Sequence, residues 1–163
     1  MTQPSRGRMR ARIDVFCRAF ELRVPVLLAP MAGACPPALS IAVAQAGGMG
    51  ACGCLTLGPE AIAEWVAAVR AAADGPFQLN LWMPDPPPAR DAGAEARLRA
   101  FLSCWGPAVP DDAAQASGPA FDAQFAALLA ARPAVVSSIM GLFTATQVRA
   151  IRAAGARWFA TVT

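Results

Sequence analysis

Residues 24–59 read VPVLLAPMAGACPPALSIAVAQAGGMGACGCLTLGP and hold no charged side chain. A window this apolar is expected to be buried, because that much nonpolar surface in water is costly. Its internal order predicts the fold. An apolar run at 24–29 meets Pro30-Met31-Ala32-Gly33, Pro36-Pro37 opens a helical segment, and a glycine-broken second run follows. Strand, loop, helix, strand, with both strands apolar on both faces, predicts the buried parallel sheet of an α/β protein. A membrane-spanning helix needs about 20 apolar residues in a row. Pro25, Pro30, Pro36, Pro37 and Gly47-Gly48-Met49-Gly50 interrupt every candidate, so no membrane segment is expected.

The same unit recurs outward from this window. An Ala-rich helix end, a Gly or Pro break and a strand-like run appear in AVAQAGGMGACGC (42–54), RAAADGPFQLNLW (70–82), LLAARPAVVSSIM (128–140) and IRAAGARWFATVT (151–163). With the run at 24–29 this predicts five strands and four intervening helices. Such alternation with short links means a parallel sheet, doubly wound or barrel-forming. The helices carry their own punctuation. Pro59 suits a first helical position and Glu60 the positive first turn. Ile62, Trp65, Val66 and Val69 then share a face, as do Phe121, Phe125, Leu128 and Leu129. Thr144 and Gln147 have capping-box spacing. The Pro-, Asp- and Ala-rich segment 84–119, with a helical stretch at 94–101, breaks the rhythm and reads as an excursion after the third strand.

Composition narrows the chemistry. The chain has 163 residues, 56% hydrophobic and 15% charged, enough for one domain with a real core. All 14 basic residues are Arg, and His and Tyr are absent. Residues 1–22 read as a basic, frayed tail; they lack the apolar core of a secretory signal. No nucleic-acid motif accompanies the net charge of +3, so no nucleic-acid partner is expected. The five cysteines, Cys17, Cys35, Cys52, Cys54 and Cys104, are odd in number and scattered. Cys52-Gly53-Cys54 is half a metal site at most. The thiols read as buried or reduced groups of a cytoplasmic protein, and no metal is expected.

Gly48-Met49-Gly50-Ala51-Cys52-Gly53 matches G-x-G-x-x-G, with Asp74 about 20 residues on, as a dinucleotide fingerprint asks. The context is wrong, because these glycines follow a helix and open a strand, whereas the fingerprint follows a strand and opens a helix. Ala29-Pro30-Met31-Ala32-Gly33 is better placed, at the C-terminal end of a strand, where parallel α/β folds hold ligands. Its small residues let a flat ring approach the backbone; a tight turn without a ligand has the same spacing. Asn80, in Gln78-Leu79-Asn80-Leu81-Trp82, is an amide in an apolar strand near the same rim. A buried amide needs partners, which neighbouring backbone or a heterocycle edge can supply. Ser137-Ser138 offers hydroxyls without a base. With no His, a Ser-His or Cys-His nucleophile is excluded within these residues.

VPVLLAPMAG, PPALSIAVAQAGGMGACG, FQLNLWMPDP, PAVVSSIMG and AAGARWFATVT, taken in order, resemble the nitronate monooxygenase (2-nitropropane dioxygenase) family. The resemblance runs from residue 23 to 163. It implies part of an FMN-dependent (β/α)8 TIM barrel, with Ala29, Pro30, Met31, Ala32 and Gly33 beneath the flavin ring and Asn80 contacting FMN. It implies oxidation of small-molecule alkyl nitronates by O2 to a carbonyl compound and nitrite. The family's catalytic His and phosphate loops have no counterpart up to Thr163, so no catalytic residue is assigned within the chain. The reading is of an N-terminal part of the barrel at 23–163, with the C-terminal strands missing and the chain inactive alone. Self-association, or a second chain completing the barrel, goes with that reading. Two alternatives share the motifs: a flavin-dependent enoyl-acyl-carrier-protein reductase, and a truncated, non-catalytic product or assembly subunit.

Overall fold

The computed structural model describes residues 6–86 and 89–161. Their elements run α1 (Arg6–Ala19), α2 (Pro37–Gln45), β1 (Gly50–Gly53), α3 (Pro59–Ala72), β2 (Phe77–Trp82), α4 (Ala92–Leu102), α5 (Phe121–Ala131), β3 (Val135–Ile139), α6 (Ala145–Ala153) and β4 (Arg157–Ala160), with a 3-10 turn at Ala113–Gln115. The four strands are all parallel and lie in sequence order, β1-β2-β3-β4. A doubly wound sheet reverses its order at a switch point; this one does not, so its winding is that of a barrel.

The local signals act where they stand in the sequence. Pro occupies the first turn of both α2 and α3, and α3 buries Ile62, Trp65, Val66 and Val69. The α6 capping box is complete: Gln147 N–H donates to Thr144 Oγ1 (3.3 Å) and Thr144 N–H to Gln147 Oε1 (2.9 Å). α5 stops at Arg132, whose φ of 44° is left-handed, just before Pro133.

Two expectations change. Residues 24–29 do not form a full strand. They run extended beside β1, with a parallel bridge Leu27↔Met49 and hydrogen bonds Leu28 N–H to Met49 O and Met49 N–H to Val26 O, both 2.9 Å. Pro25 and Pro30 remove donors from this stretch, which limits the ladder. Four strands are therefore formed where five were expected, and residues 162–163 of the last predicted run lie outside the described residues. The tail at 1–22 is helical from Arg6 to Ala19. Charge dominates its sequence, but Phe16, Cys17, Phe20 and Leu22 pack with Met49 and Val135 in a core cluster of their own. Phe20 meets Phe159 edge-on at 5.5 Å, and the Arg157 guanidinium lies 4.6 Å from the Phe20 ring centre.

The larger core lies on the other face of the sheet. Cys52, Cys54, Leu79, Leu81 and Val136 pack there with Ile62, Trp65, Val66, Val69, Leu128 and Ile151. Since side chains alternate along a strand, the intervening positions Gly53, Gln78, Asn80, Ser137 and Phe159 belong to the face away from α3, α5 and α6. The chain divides into two compact units, and Pro84–Gly118 forms the second. Within it, Asp91 caps α4 by accepting from Ala94 N–H (3.0 Å), Arg90 pairs with Glu95, and Arg99 pairs with Asp111 at 3.5 Å. No residue of α4 is buried.

Candidate functional site

A single row crosses the sheet near the C-terminal ends of its strands. Ala32 bridges Gly53, and Gly53 pairs with Asn80, Asn80 with Ser137, and Ser137 with Phe159. The fold thus brings the first-strand motif and Asn80 into one line with a single strand between them. At a strand spacing of about 4.8 Å they stand roughly 10 Å apart.

Gly53 makes this close approach feasible. A Cβ on it would come within 2.5 Å of the Ala32 nitrogen and 2.8 Å of the Met31 carbonyl carbon. The other glycines of the G-x-G-x-x-G match are equally crowded: a Cβ on Gly48 would meet Val26 O at 2.8 Å, and one on Gly50 would meet the Ser40 Cβ at 2.9 Å. All three glycines are packing glycines, at the end of α2 and along β1. They hold no helix N-terminus toward a pyrophosphate.

The motif at 29–33 is a braced turn. Ala34 N–H donates to Met31 O (3.1 Å), and Gly33 sits at φ +73°. That positive φ at the third turn position is what glycine supplies in a type II turn. Cys35 staples the turn from beneath: its thiol donates to Ala29 O (3.2 Å) and accepts from Met31 N–H (3.4 Å). Cys35 O in turn accepts from Trp65 Nε1 (3.0 Å), which fastens the loop to α3. Met31 stays 41% exposed, and a Cβ added to Gly33 would meet nothing within 4 Å. The turn therefore presents an open surface.

Asn80 is buried, and its Nδ2 donates to Ser137 Oγ at 3.0 Å. Its partner is a side-chain hydroxyl, and Oδ1 accepts no hydrogen bond from the described residues. Gln78, one step toward the strand start on the same face, donates Nε2 to Leu28 O (2.8 Å) and ties the 24–29 segment to β2. Gln124 does similar work for the loop after β1, where its Nε2 faces Cys54 O at 2.7 Å, Leu57 O at 2.8 Å and Leu55 O at 3.3 Å. Ser40 holds β1 itself through Ala51 N–H (3.0 Å) and Ala51 O (2.8 Å).

Cys35, Gly53, Ser137 and Gln124 are the contributors that motif reading passed over or left without a role. Only Ser137 had a signal, as a hydroxyl in a strand-like run; Gly53 read as part of the G-x-G-x-x-G match, and its place beside Asn80 comes from the register. Cys52 and Cys54 point into the helix-side core. The Cys54 thiol, hydrogen-bonded with Cys52 and desolvated by burial, is pushed well above the ordinary thiol range and stays protonated. Among the described residues, no group of three or more His, Cys, Asp or Glu is placed to hold a metal. No described helix is long and apolar enough to cross a membrane.

Comparison with known proteins places this geometry. Residues 15–163 match the family model for nitronate monooxygenase. The chain is 32% identical over 145 residues to a nitronate monooxygenase of Paraburkholderia phytofirmans, covering 85% of this chain and 39% of that protein. It is 33% identical over 149 residues to one of Pseudomonas aeruginosa, covering 88% and 42%. It superposes on nitroalkane oxidase from Streptomyces ansochromogenes with a TM-score of 0.70 and 27% identity, over 87% of this chain and 41% of that one. FabK from Thermotoga maritima, at 21% identity and a TM-score of 0.64, shares the fold. The chain thus spans about two-fifths of the length of the curated relatives it matches, and its four-stranded sheet is part of a (β/α)8 barrel. It belongs to the nitronate monooxygenase family.

Proposed function

We propose that this chain carries the N-terminal part of an FMN site, in an oxidoreductase that converts alkyl nitronates and O2 to a carbonyl compound and nitrite. The row Ala32–Gly53–Asn80–Ser137, with an open turn at one side and an uncommitted amide oxygen beside it, is the observation that carries the reading. Family membership supports it.

The residues present suit a flat heterocycle. The open side of Gly33 and the exposed Met31 give a surface on which a ring can rest, and Asn80 Oδ1 gives a hydrogen-bond acceptor at its edge. When bound, FMN supplies the electron acceptor that the nitronate needs. Ala29, Pro30, Met31, Ala32 and Gly33 support the ring, the Cys35 staple keeps their backbone from yielding, and Asn80 fixes the ring's rotation. Phe159, Val135 and Met49 form an apolar floor farther along the same face, which limits water there. Neither a His in the chain nor a carboxylate on the row is available to take a proton, so these residues bind and orient. The five free thiols support a reducing compartment, the cytoplasm. We extend the reading to assembly: further strands of the barrel, whatever polypeptide carries them, complete the ring's enclosure.

Ligand sites bury most of their ligand, so a platform covering one side of a ring binds weakly. The chain is expected to purify without flavin absorbance and then to quench added FMN fluorescence saturably. Asn80→Ala should raise the dissociation constant about tenfold, the effect of losing one good hydrogen bond to a buried group. Nitrite release from propyl-2-nitronate should be absent with FMN and these residues alone. Absence of saturable FMN binding would sink the reading, and so would binding that Asn80→Ala leaves untouched.

A further inference from the structure

We infer that Ser137 is a positioning residue for Asn80, and that by accepting from its Nδ2 it turns Oδ1 outward, so that the row selects a ligand edge bearing an N–H. This rests on the flavin reading and adds to it a residue and a polarity. The two amides on this face of β2 show why a setter is needed. Gln78 donates to Leu28 O, and a carbonyl can only accept, so the orientation of Gln78 is fixed by its partner. Asn80 meets Ser137 Oγ at 3.0 Å, with both residues buried. The register pair Asn80↔Ser137 puts them on neighbouring strands at one level, so the contact follows from the sheet and not from a flexible loop.

With Nδ2 engaged on β3, Asn80 offers its remaining oxygen, and a donor on the ligand is what that oxygen recognises. In an isoalloxazine ring that donor is the N3–H. A ring edge offering only carbonyl oxygens or bare nitrogens would meet Oδ1 lone pair to lone pair and be rejected. Discrimination is sharp in a buried site because an unpaired group there keeps its full desolvation cost. Ser138, next along the strand, does not share this role; its hydroxyl accepts from Trp158 Nε1 (3.2 Å) on the helix-side face.

The test uses the full chain with FMN, 15N-labelled FMN and 3-methyl-FMN. For the unmodified chain, the N3 proton resonance of labelled FMN should move downfield on binding. Methylation at N3 should weaken binding about tenfold, one hydrogen bond's worth. Ser137→Ala should weaken FMN binding about fivefold and shrink both the downfield shift and the preference for FMN over 3-methyl-FMN. Ser137→Thr, which restores a hydroxyl, should recover them, and circular dichroism monitors the fold of each variant. A serine hydroxyl can donate as well as accept, and the opposite polarity would give the opposite response: 3-methyl-FMN bound as well as FMN, with no downfield shift. That result overturns the inference while leaving the flavin reading standing. Equal behaviour of Ser137→Ala and the unmodified chain overturns it too. Failure of any FMN to bind sinks the flavin reading and the inference with it.

Discussion

Up to Leu81, before the partly exposed Trp82, the two faces of β2 are almost equally buried and chemically opposite. Toward the helices stand Phe77, Leu79 and Leu81, at 5%, 0% and 0% exposure; toward the other face stand Gln78 and Asn80, at 5% and 7%. The apolar face touches residues of α3, α5 and α6, which cannot bury their own stripes without it. The polar face spends its amide nitrogens on neighbouring segments, Leu28 O and Ser137 Oγ, and keeps oxygens in hand. A buried amide is an expensive way to fill space. Its presence in the middle of an otherwise apolar strand therefore separates recognition from stability along a single six-residue element.

Truncating each face should separate the two roles most strongly. Leu79→Ala removes a fully buried side chain from the larger core, and cavities of this kind cost about 2–5 kcal/mol. Urea unfolding of the chain should show that loss, while the weak FMN affinity of whatever remains folded stays unchanged. Asn80→Ala should do the reverse, with the smaller stability loss and the larger binding loss. The comparison breaks if Asn80→Ala destabilises as much as Leu79→Ala and FMN binding does not respond.

A smaller effect is expected at Gln124, a polar residue buried on α5. It belongs to the helices by position and to the strand-end loops by its contacts. Gln124→Leu keeps the volume but leaves the Leu57 carbonyl without its Gln124 donor and Cys54 O with the Leu57 N–H alone, at about 1–3 kcal/mol. Amide hydrogen exchange in the 54–58 loop should quicken well beyond the change at α3. Uniform quickening across the chain would mean that the residue is a core packer and the loop does not depend on it.

Much of this was readable from residue order. Periodicity placed Ile62, Trp65, Val66 and Val69 on one face, proline marked the starts of α2 and α3, and the Thr144/Gln147 spacing marked α6. The row Ala32–Gly53–Asn80–Ser137 was legible in part: Asn80 stands out in its strand, and small residues mark the first loop. Gly53, by contrast, read as a fragment of a false fingerprint. Its real constraint, 2.5 Å from Ala32 N, involves a residue 21 positions earlier and exists only once register is set. Cys35 was obscured for a similar reason, since a thiol bonding two backbone groups of its own turn leaves no spacing signature. Helix α1 was missed because five arginines mask the Phe16, Cys17, Phe20 set, whose burial depends on Met49 and Val135 far along the chain. Residues 24–29 were over-read as a strand because apolar run length outweighed the two prolines that thin its donors.

The smallest expected effect tests how far local grammar alone supports the row. Thr144 caps the helix that follows β3, and Ser137 lies on that strand. Thr144→Ala deletes the acceptor for Gln147 N–H and leaves the Gln147 side chain to hold the Thr144 N–H by itself. N-cap losses of this type cost about 1 kcal/mol, which in a chain of this size lowers the melting temperature by about 2–4 °C. Thr144→Ser retains the hydroxyl and should recover most of the loss in a calorimetric scan. FMN binding should stay unchanged in both, because the register pairs Asn80↔Ser137 and Ser137↔Phe159 hold Ser137 through the sheet and not through the cap. A binding loss in Thr144→Ala that tracks the melting temperature would mean that α6 and not strand pairing sets the position of Ser137, and the division between a stabilising face and a recognising face would then fail at β3.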